Sequence, residues 1–275
     1  MIQPQQLKSY LGLKWNPFLS DVPVENMHVD ERMASFFWRV EQLVLDGGYG
    51  LVTGEPGNGK SVILRQLHHH LLKIPDVYVR TVARPQSRLR DFYREIGLLF
   101  GIEIHASNRY GSFQKLRDQW LTQIGRKLFR PVLLIDEAQE MSEEVLSEIR
   151  ILGSSDLDAR CILAVVFSGD ERFLKNLQTP ALLPLESRIR IRLNLDGRSS
   201  EMLHSLLTHT LREAGNEELM TPGVIKALSE QSLGNLRAMM TAGNELIAQA
   251  VQRNRTQVDE DLYFEVFRAQ PKRKR

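Results

Sequence analysis

The run Gly54-Glu-Pro-Gly-Asn-Gly-Lys60-Ser61 constrains this chain more than any other eight residues. A short apolar stretch, Tyr49–Thr53, leads into it. Behind it, Val62, Ile63, Gln66–Leu67 and Leu71 recur at helical spacing over Ser61–Lys73, until Pro75 ends the helix. Strand, glycine-rich turn and helix in immediate succession let the backbone N–H groups of the turn point inward. The helix adds its positive N-terminal end at the same place, so the unit is built to hold an anion. The spacing matches G-x-x-x-x-G-K-[ST]: Lys60 supplies a point charge to the outer oxygens of a phosphate chain and Ser61 offers a hydroxyl to Mg²⁺. Gly54, Pro56, Gly57, Asn58, Gly59, Lys60, Ser61 and Val62 are therefore the expected phosphate-chain contacts.

The rest of the chain supports an α/β reading. Val77–Val82, Pro131–Asp136, Cys161–Phe167 and Ile189–Leu193 read as further strands. Helices are expected over residues 36–46, Arg88–Phe100, Ser112–Leu128 and Glu143–Leu152. Strands alternating with helices imply parallel β-α-β units and a sheet covered on both faces. After Gly197 the pattern turns wholly helical: Ser200–Ala214, Pro222–Gln231 and Leu236–Arg253. The expected organisation is an N-terminal arm over 1–35, a P-loop nucleotide-binding domain over 36–197, a small helical domain over 198–270 and a basic tail over 271–275. The arm carries Pro4, Pro17 and Pro23, with LKWNPF as an apolar anchor.

Chemistry concentrates at the strand ends. Val132-Leu-Leu-Ile-Asp136-Glu137 is an apolar strand ending in two carboxylates, which repel unless something uses them. About 75 residues beyond a phosphate-binding turn, Asp136 is placed to hold Mg²⁺ and Glu137 to orient and activate an attacking water. The strand Leu163–Phe167 runs out into Ser168, a small polar group for the end of the phosphate chain, or simply an exit from the strand. In Glu186-Ser-Arg188-Ile-Arg190-Ile-Arg192-Leu193, alternation puts the arginines on one face and Ile189, Ile191 and Leu193 on the other. Such a run is an edge strand with a solvated face, or it offers an arginine to a nucleotide on a neighbouring subunit.

Taken together, the phosphate turn, the Asp-Glu strand end, the polar strand end, the arginine segment and the helical C-terminal part resemble the AAA+ ATPases. Gly234-Asn-Leu-Arg237 is similar to their sensor-2 motif. The resemblance implies a parallel P-loop sheet with a helical lid, ATP and Mg²⁺ as cofactors, and hydrolysis of ATP. It implies Ser168 as sensor 1, although Asn or Thr is usual there, Arg237 as a γ-phosphate contact, and Arg188, with Arg190 second, as the arginine that acts between subunits. LKWNPF, GEPGNGKS and LLIDEAQE further resemble the ExeA-like group, which shades into the transposition ATPases of the TnsC, TniB and MuB kind. That branch implies ATP-dependent rings or filaments on duplex DNA that recruit or stimulate a transposase. ExeA-like secretion ATPases imply protein partners instead, with a membrane span and a peptidoglycan-binding region after the ATPase. The chain ends at Arg275 without either, which points to the transposition branch. A signalling ATPase with no DNA role is a third reading.

Charge bears on that choice. Net charge is only +2, yet Arg80–Arg130 holds eleven Arg or Lys against Asp91, Glu95, Glu103 and Asp118, a local +7. DNA contacts in such assemblies come largely from the segment after the second strand, here Arg84, Arg88 and Arg90. Arginines at a helix start and loop would meet phosphates without reading bases; a solvated helix with Asp91 and Glu95 as partners is the plainer account. The PKRKR tail is either a polyanion contact or a disordered end. No apolar run is long enough to span a bilayer and the N-terminus has no signal-peptide core, so a cytoplasmic protein is expected. Cys161, the single cysteine, reads as a buried inert thiol. His68-His69-His70 on one helix point in three directions and make a poor metal site.

Overall fold

A computed structural model describes residues 4–105, 108–126, 129–156 and 159–268. The basic tail, Lys127 and Leu128 lie outside them. The described residues divide into two compact units. One comprises Val29–Pro56 and Lys60–Leu195; the other comprises the residues up to His28, Gly57–Gly59, and those from Asp196 onward.

The first unit is a parallel five-stranded sheet: β1 (Gly48–Thr53), β2 (Val77–Val82), β3 (Arg130–Ile135), β4 (Ala164–Gly169) and β5 (Ile189–Asn194), in the spatial order β2-β3-β4-β1-β5. Strand alternation sorts the interior into two layers. Val52, Val132, Leu134, Ala164, Val166, Ile191 and Leu193 face helices α2 (Glu31–Asp46) and α3 (Lys60–Leu71). Leu51, Leu133, Ile135, Val165 and Phe167 face α4 (Leu89–Phe100), α5 (Arg109–Gly125), α6 (Glu143–Gly153) and α7 (Glu171–Leu177), with the short α8 (Leu183–Glu186) beside them. Both faces of the central strands are covered, which explains why β3 and β4 are apolar runs rather than alternating ones.

Two expectations are corrected here. The fourth strand does not begin at Cys161. Arg160–Cys161 forms a small antiparallel pair with Ser154–Ser155, and β4 starts at Ala164. The chain turns between them, with Ile162 N–H bonded to Gly153 O at 2.8 Å and Gly48 N–H to Leu163 O at 3.1 Å. Helix α2 starts at Glu31 rather than residue 36, because Asp30 caps it by accepting from Met33 N at 2.8 Å.

β5 is a sheet edge, and its burial alternates as the sequence implies: Ile189, Ile191 and Leu193 buried, Arg190, Arg192 and Asn194 exposed. Two α2 side chains reach its backbone. Arg32 donates to Asn194 O at 2.5 Å, and Arg39 to Arg190 O at a longer 3.5 Å.

The second unit is helical: α9 (Ser200–Ala214), α10 (Pro222–Gln231), α11 (Leu236–Gln252) and α12 (Glu260–Arg268), the last not anticipated from sequence. Ser199, Thr221 and Asn235 cap the first three. The N-terminal segment, with an unanticipated helix α1 (Pro4–Tyr10), packs into the same core through Leu11, Leu13 and Phe18. Lys14 N–H bonds Ala214 O at 2.8 Å, Asn216 Nδ2 bonds Leu11 O at 2.7 Å and Asn16 Nδ2 bonds Asn244 Oδ1 at 2.9 Å. Phe18 lies directly on Gly243 of α11, where a β-carbon would come within 2.5 Å of its Cδ1.

Candidate nucleotide site

The turn after β1 does what its glycines permit. Gly57 (φ 97°) and Gly59 (φ 85°) sit in the left-handed region closed to most side chains. Within the helical unit, Arg237 N–H bonds Gly57 O at 3.0 Å and Arg198 Nη1 bonds Asn58 O at 2.6 Å. Asn58 Nδ2 in turn donates to Asp196 Oδ1 at 2.9 Å. A β-carbon on Gly57 would stand 2.7 Å from Asn235 Oδ1 and 3.1 Å from Arg237 Cβ, so both the backbone angle and the close neighbours require glycine. Arg237 thus reaches the turn by its backbone, and its side chain is exposed. Asp196 and Arg198 belong to no motif, and sequence reasoning missed them. Both bond Asn58, more than a hundred residues away.

Lys60 is 6% exposed, and its Nζ donates to Gly54 O at 2.9 Å and Glu55 O at 3.2 Å. Ser61 is exposed at the first turn of α3, Val62 half-buried and Pro56 exposed.

The acidic pair follows β3 at its C-terminal end, as the sequence predicts. Asp136 Oδ1 accepts from Ser168 Oγ at 2.8 Å and from Glu137 N–H at 3.0 Å. Ser168, wholly buried on β4, is therefore brought to Asp136. Among the described residues Asp136 Oδ2 accepts no hydrogen bond. A half-engaged carboxylate and the Ser61 hydroxyl, completed by phosphate oxygens and water, fit the ligand preferences of Mg²⁺, which is seldom enclosed by protein alone. No group of three His, Cys, Asp or Glu among the described residues offers an all-protein metal cage, the three histidines of α3 included.

Glu137 adopts φ 52°, ψ 43°, a left-handed conformation that costs a non-glycine residue about 1–3 kcal/mol and is tolerated where the surroundings enforce it. Its side chain is held by Gln139: Nε2 donates to Glu137 Oε2, while Oε1 accepts Asp170 N–H at 3.3 Å. Asp170, buried just beyond β4, caps α7 and pairs with Arg172, whose N–H and Nε each lie 2.9 Å from its carboxylate. Burial pushes the Asp170 carboxyl upward, but the Arg172 hydrogen bonds and charge, with the Lys60 charge behind them, prevail and hold it below the usual carboxylate value.

The arginines predicted after β2 and before β5 are elsewhere. Arg188 precedes β5, at the N-terminal end of the parallel sheet, whereas Asp136 and Glu137 follow β3 at the C-terminal end. One chain does not bring them together. Its guanidinium bonds Pro184 O, Arg192 pairs with Glu186 at 2.6 Å, and Arg190 is exposed. Arg84, Arg88 and Arg90 are all exposed, and among the described residues none makes an ion pair. Glu95 fixes their loop by accepting Ala83 N–H at 2.6 Å.

Several cations of that stretch are engaged within the fold. Arg80 lies 3.6 Å from the Tyr78 ring centre and bonds Leu99 O, Arg109 pairs with buried Glu148, Arg117 bonds Leu152 O at 3.1 Å, Lys115 bonds Glu103 O, and Arg94 meets Asp91 at 3.4 Å. Cys161 is half-buried, and burial raises its thiol pKa, as an inert thiol requires.

Comparison with known proteins agrees with this geometry at the level of fold. Residues 45–177 match the family model described as an AAA domain. Over 229 residues the chain is 27% identical to General secretion pathway protein A of Aeromonas hydrophila; the match takes in 82% of this chain and 41% of that protein. The chain thus spans about two fifths of the length of that relative. Among solved structures it superposes on the Aeropyrum pernix ORC2 protein in ADPNP–ADP complexes with a TM-score of 0.69 at 15% identity, covering 92% of this chain and 71% of that one. The A. pernix ORC1 protein in complex with DNA gives 0.68 at 16% identity, covering 92% and 68%. The Thermotoga maritima RuvB Holliday junction branch migration motor gives 0.58 at 15%, covering 94% and 72%. No helix among the described residues is long and apolar enough to cross a membrane. Residues 45–177 are thus similar to an AAA domain, and the chain shares the fold of these solved structures.

Proposed function

We propose that this chain is a Mg²⁺-dependent ATPase whose nucleotide state controls its assembly, copy upon copy, on duplex DNA, and that on DNA it recruits or stimulates a transposase in the cytoplasm. Bound ATP with Mg²⁺ would supply the phosphoryl group and the charge that holds it. The chain supplies the rest. Gly54, Pro56, Gly57, Asn58, Gly59 and Val62 shape the turn around the phosphates, Lys60 offsets their charge, and Ser61 and Asp136 ligate the cation. Glu137 takes the proton of the attacking water, Ser168 orients Asp136, and Arg237 meets the γ-phosphate from its own chain. Arg188, with Arg190 second, serves the neighbouring copy.

The observation that carries the DNA part is the trio Arg84, Arg88 and Arg90: exposed, unpaired among the described residues, and placed directly after β2. The test is fluorescence anisotropy on a labelled duplex across a salt series, with and without a slowly hydrolysed ATP analogue. Three phosphates neutralised per subunit give a log–log slope of about −2.7 for each bound copy. From 50 to 200 mM salt, that is a loss of about fortyfold per copy. Binding is expected with nucleotide, weak without it and indifferent to base sequence; replacing all three by Ala should flatten the slope and leave ATP binding intact.

The likeness to General secretion pathway protein A favours a second reading, an ATPase that assembles secretion or envelope components through protein contacts. No DNA binding at low salt with nucleotide present would transfer the conclusion to it.

A further inference from the structure

Gln139 lies two positions beyond the acidic pair, in a short 3-10 turn, and is buried. Its amide has one orientation compatible with its neighbours. Asp170 N–H can only donate, so it faces Oε1; that turns Nε2 to the Glu137 carboxylate, which can only accept. The two bonds join the end of β3 to the end of β4 at the level of the reacting groups. They also account for the left-handed backbone at Glu137, since a strained residue persists where its side chain is anchored.

We infer that Gln139 is a positioning residue for ATP hydrolysis: it fixes the rotamer of Glu137 by donating to its carboxylate from an amide that β4 holds in place. The inference rests on the proposed role of Glu137 as the base. A base must lie within hydrogen-bond reach of the proton it takes, so an anchored rotamer acts on the chemical step.

Two substitutions separate positioning from mere packing. Gln139→Glu keeps the volume and the bond from Asp170 N–H but removes the donor to Glu137 and sets carboxylate against carboxylate, which turns the Glu137 side chain away. The expected result is a kcat lowered tenfold or more, while KM for ATP changes less than about twofold. Gln139→Ala, which loses both amide bonds, should lower kcat by about tenfold with KM kept. Steady-state and single-turnover hydrolysis across ATP concentrations measure both, with Glu137→Gln alongside. If Glu137→Gln is inactive while both Gln139 variants keep the wild-type kcat, the inference is overturned and the role of Glu137 stands. If Glu137→Gln itself hydrolyses ATP at the wild-type rate, the reading of Glu137 as base falls first. Lowered thermal stability in Gln139→Glu with kcat unchanged would also overturn the inference, since packing alone explains that pattern.

Discussion

Gly243→Ala tests whether the N-terminal segment is seated on α11 as described. Gly243 is in the middle of a seventeen-residue helix, where alanine is intrinsically better by about 1 kcal/mol. A β-carbon there would lie 2.5 Å from Phe18 Cδ1 and 2.8 Å from Cζ, with Cε1 nearer still, so the ring must retreat by more than about 1 Å to regain ordinary contact. It has little freedom to do so. Phe18 N–H is bonded to Asn16 Oδ1 at 2.9 Å, and Asn16 is bonded to Asn244, the residue next to the glycine. Overpacking of this kind costs roughly 1–3 kcal/mol. Set against the helix gain, the variant is expected to be less stable by up to about 2 kcal/mol. Phe18→Ala alone should cost about 3 kcal/mol or more. In that background Gly243→Ala should change sign and stabilise by up to about 1 kcal/mol, because only helix propensity is left. Urea unfolding followed by tryptophan fluorescence is suited to the measurement, since Trp15 packs on the same core. A higher urea midpoint for Gly243→Ala with Phe18 intact would refute the seating.

Arg188→Ala should bind ATP normally and turn over slowly. Mixed with Lys60→Ala, which keeps its own Arg188, it should regain activity at shared interfaces; a mixed oligomer no more active than the separate proteins would remove the role of Arg188 between copies. Asp170→Asn should destabilise the protein at pH 7. The Asp170 carboxyl is held below its ordinary value in the folded state, so its contribution is present above the unfolded value, near 4, and is lost as the pH falls through the folded one. Thermal melts from pH 7 to pH 3 should show the gap between variant and wild type closing; a gap of constant size would contradict the Arg172 pairing.

Most of the sheet was legible in the sequence because buried parallel strands are short apolar runs with nowhere else to go. β2 was legible end to end. The turn at Gly54–Ser61 and the pair Asp136–Glu137 were legible because their geometry is local: the residues that must act together are neighbours in the chain. Gln139 falls inside LLIDEAQE, but nothing local gives its role or marks Asp170, because their contact joins positions thirty-one residues apart. The charge count between Arg80 and Arg130 cannot tell, for the same reason, which of its cations the fold engages. Glu148, which takes up Arg109, lies outside the window, and several other cations bind backbone carbonyls that no charge tally includes. Helix α12 escaped because its apolar positions, Leu262, Tyr263 and Val266, amount to barely two turns.

The two arginines on the backbone of β5 bear on solubility. An edge strand presents a row of peptide groups ready to template a foreign strand, and unprotected edges are where folded proteins begin to aggregate. Arg32 and Arg39 occupy carbonyls at both ends of that row, and exposed Arg190 adds a further cation beside it. A second molecule cannot add its own strand here without displacing cations from the acceptors it would need. Copies of this protein can then accumulate side by side at high local density, as on a shared scaffold, without their sheets fusing into fibrils.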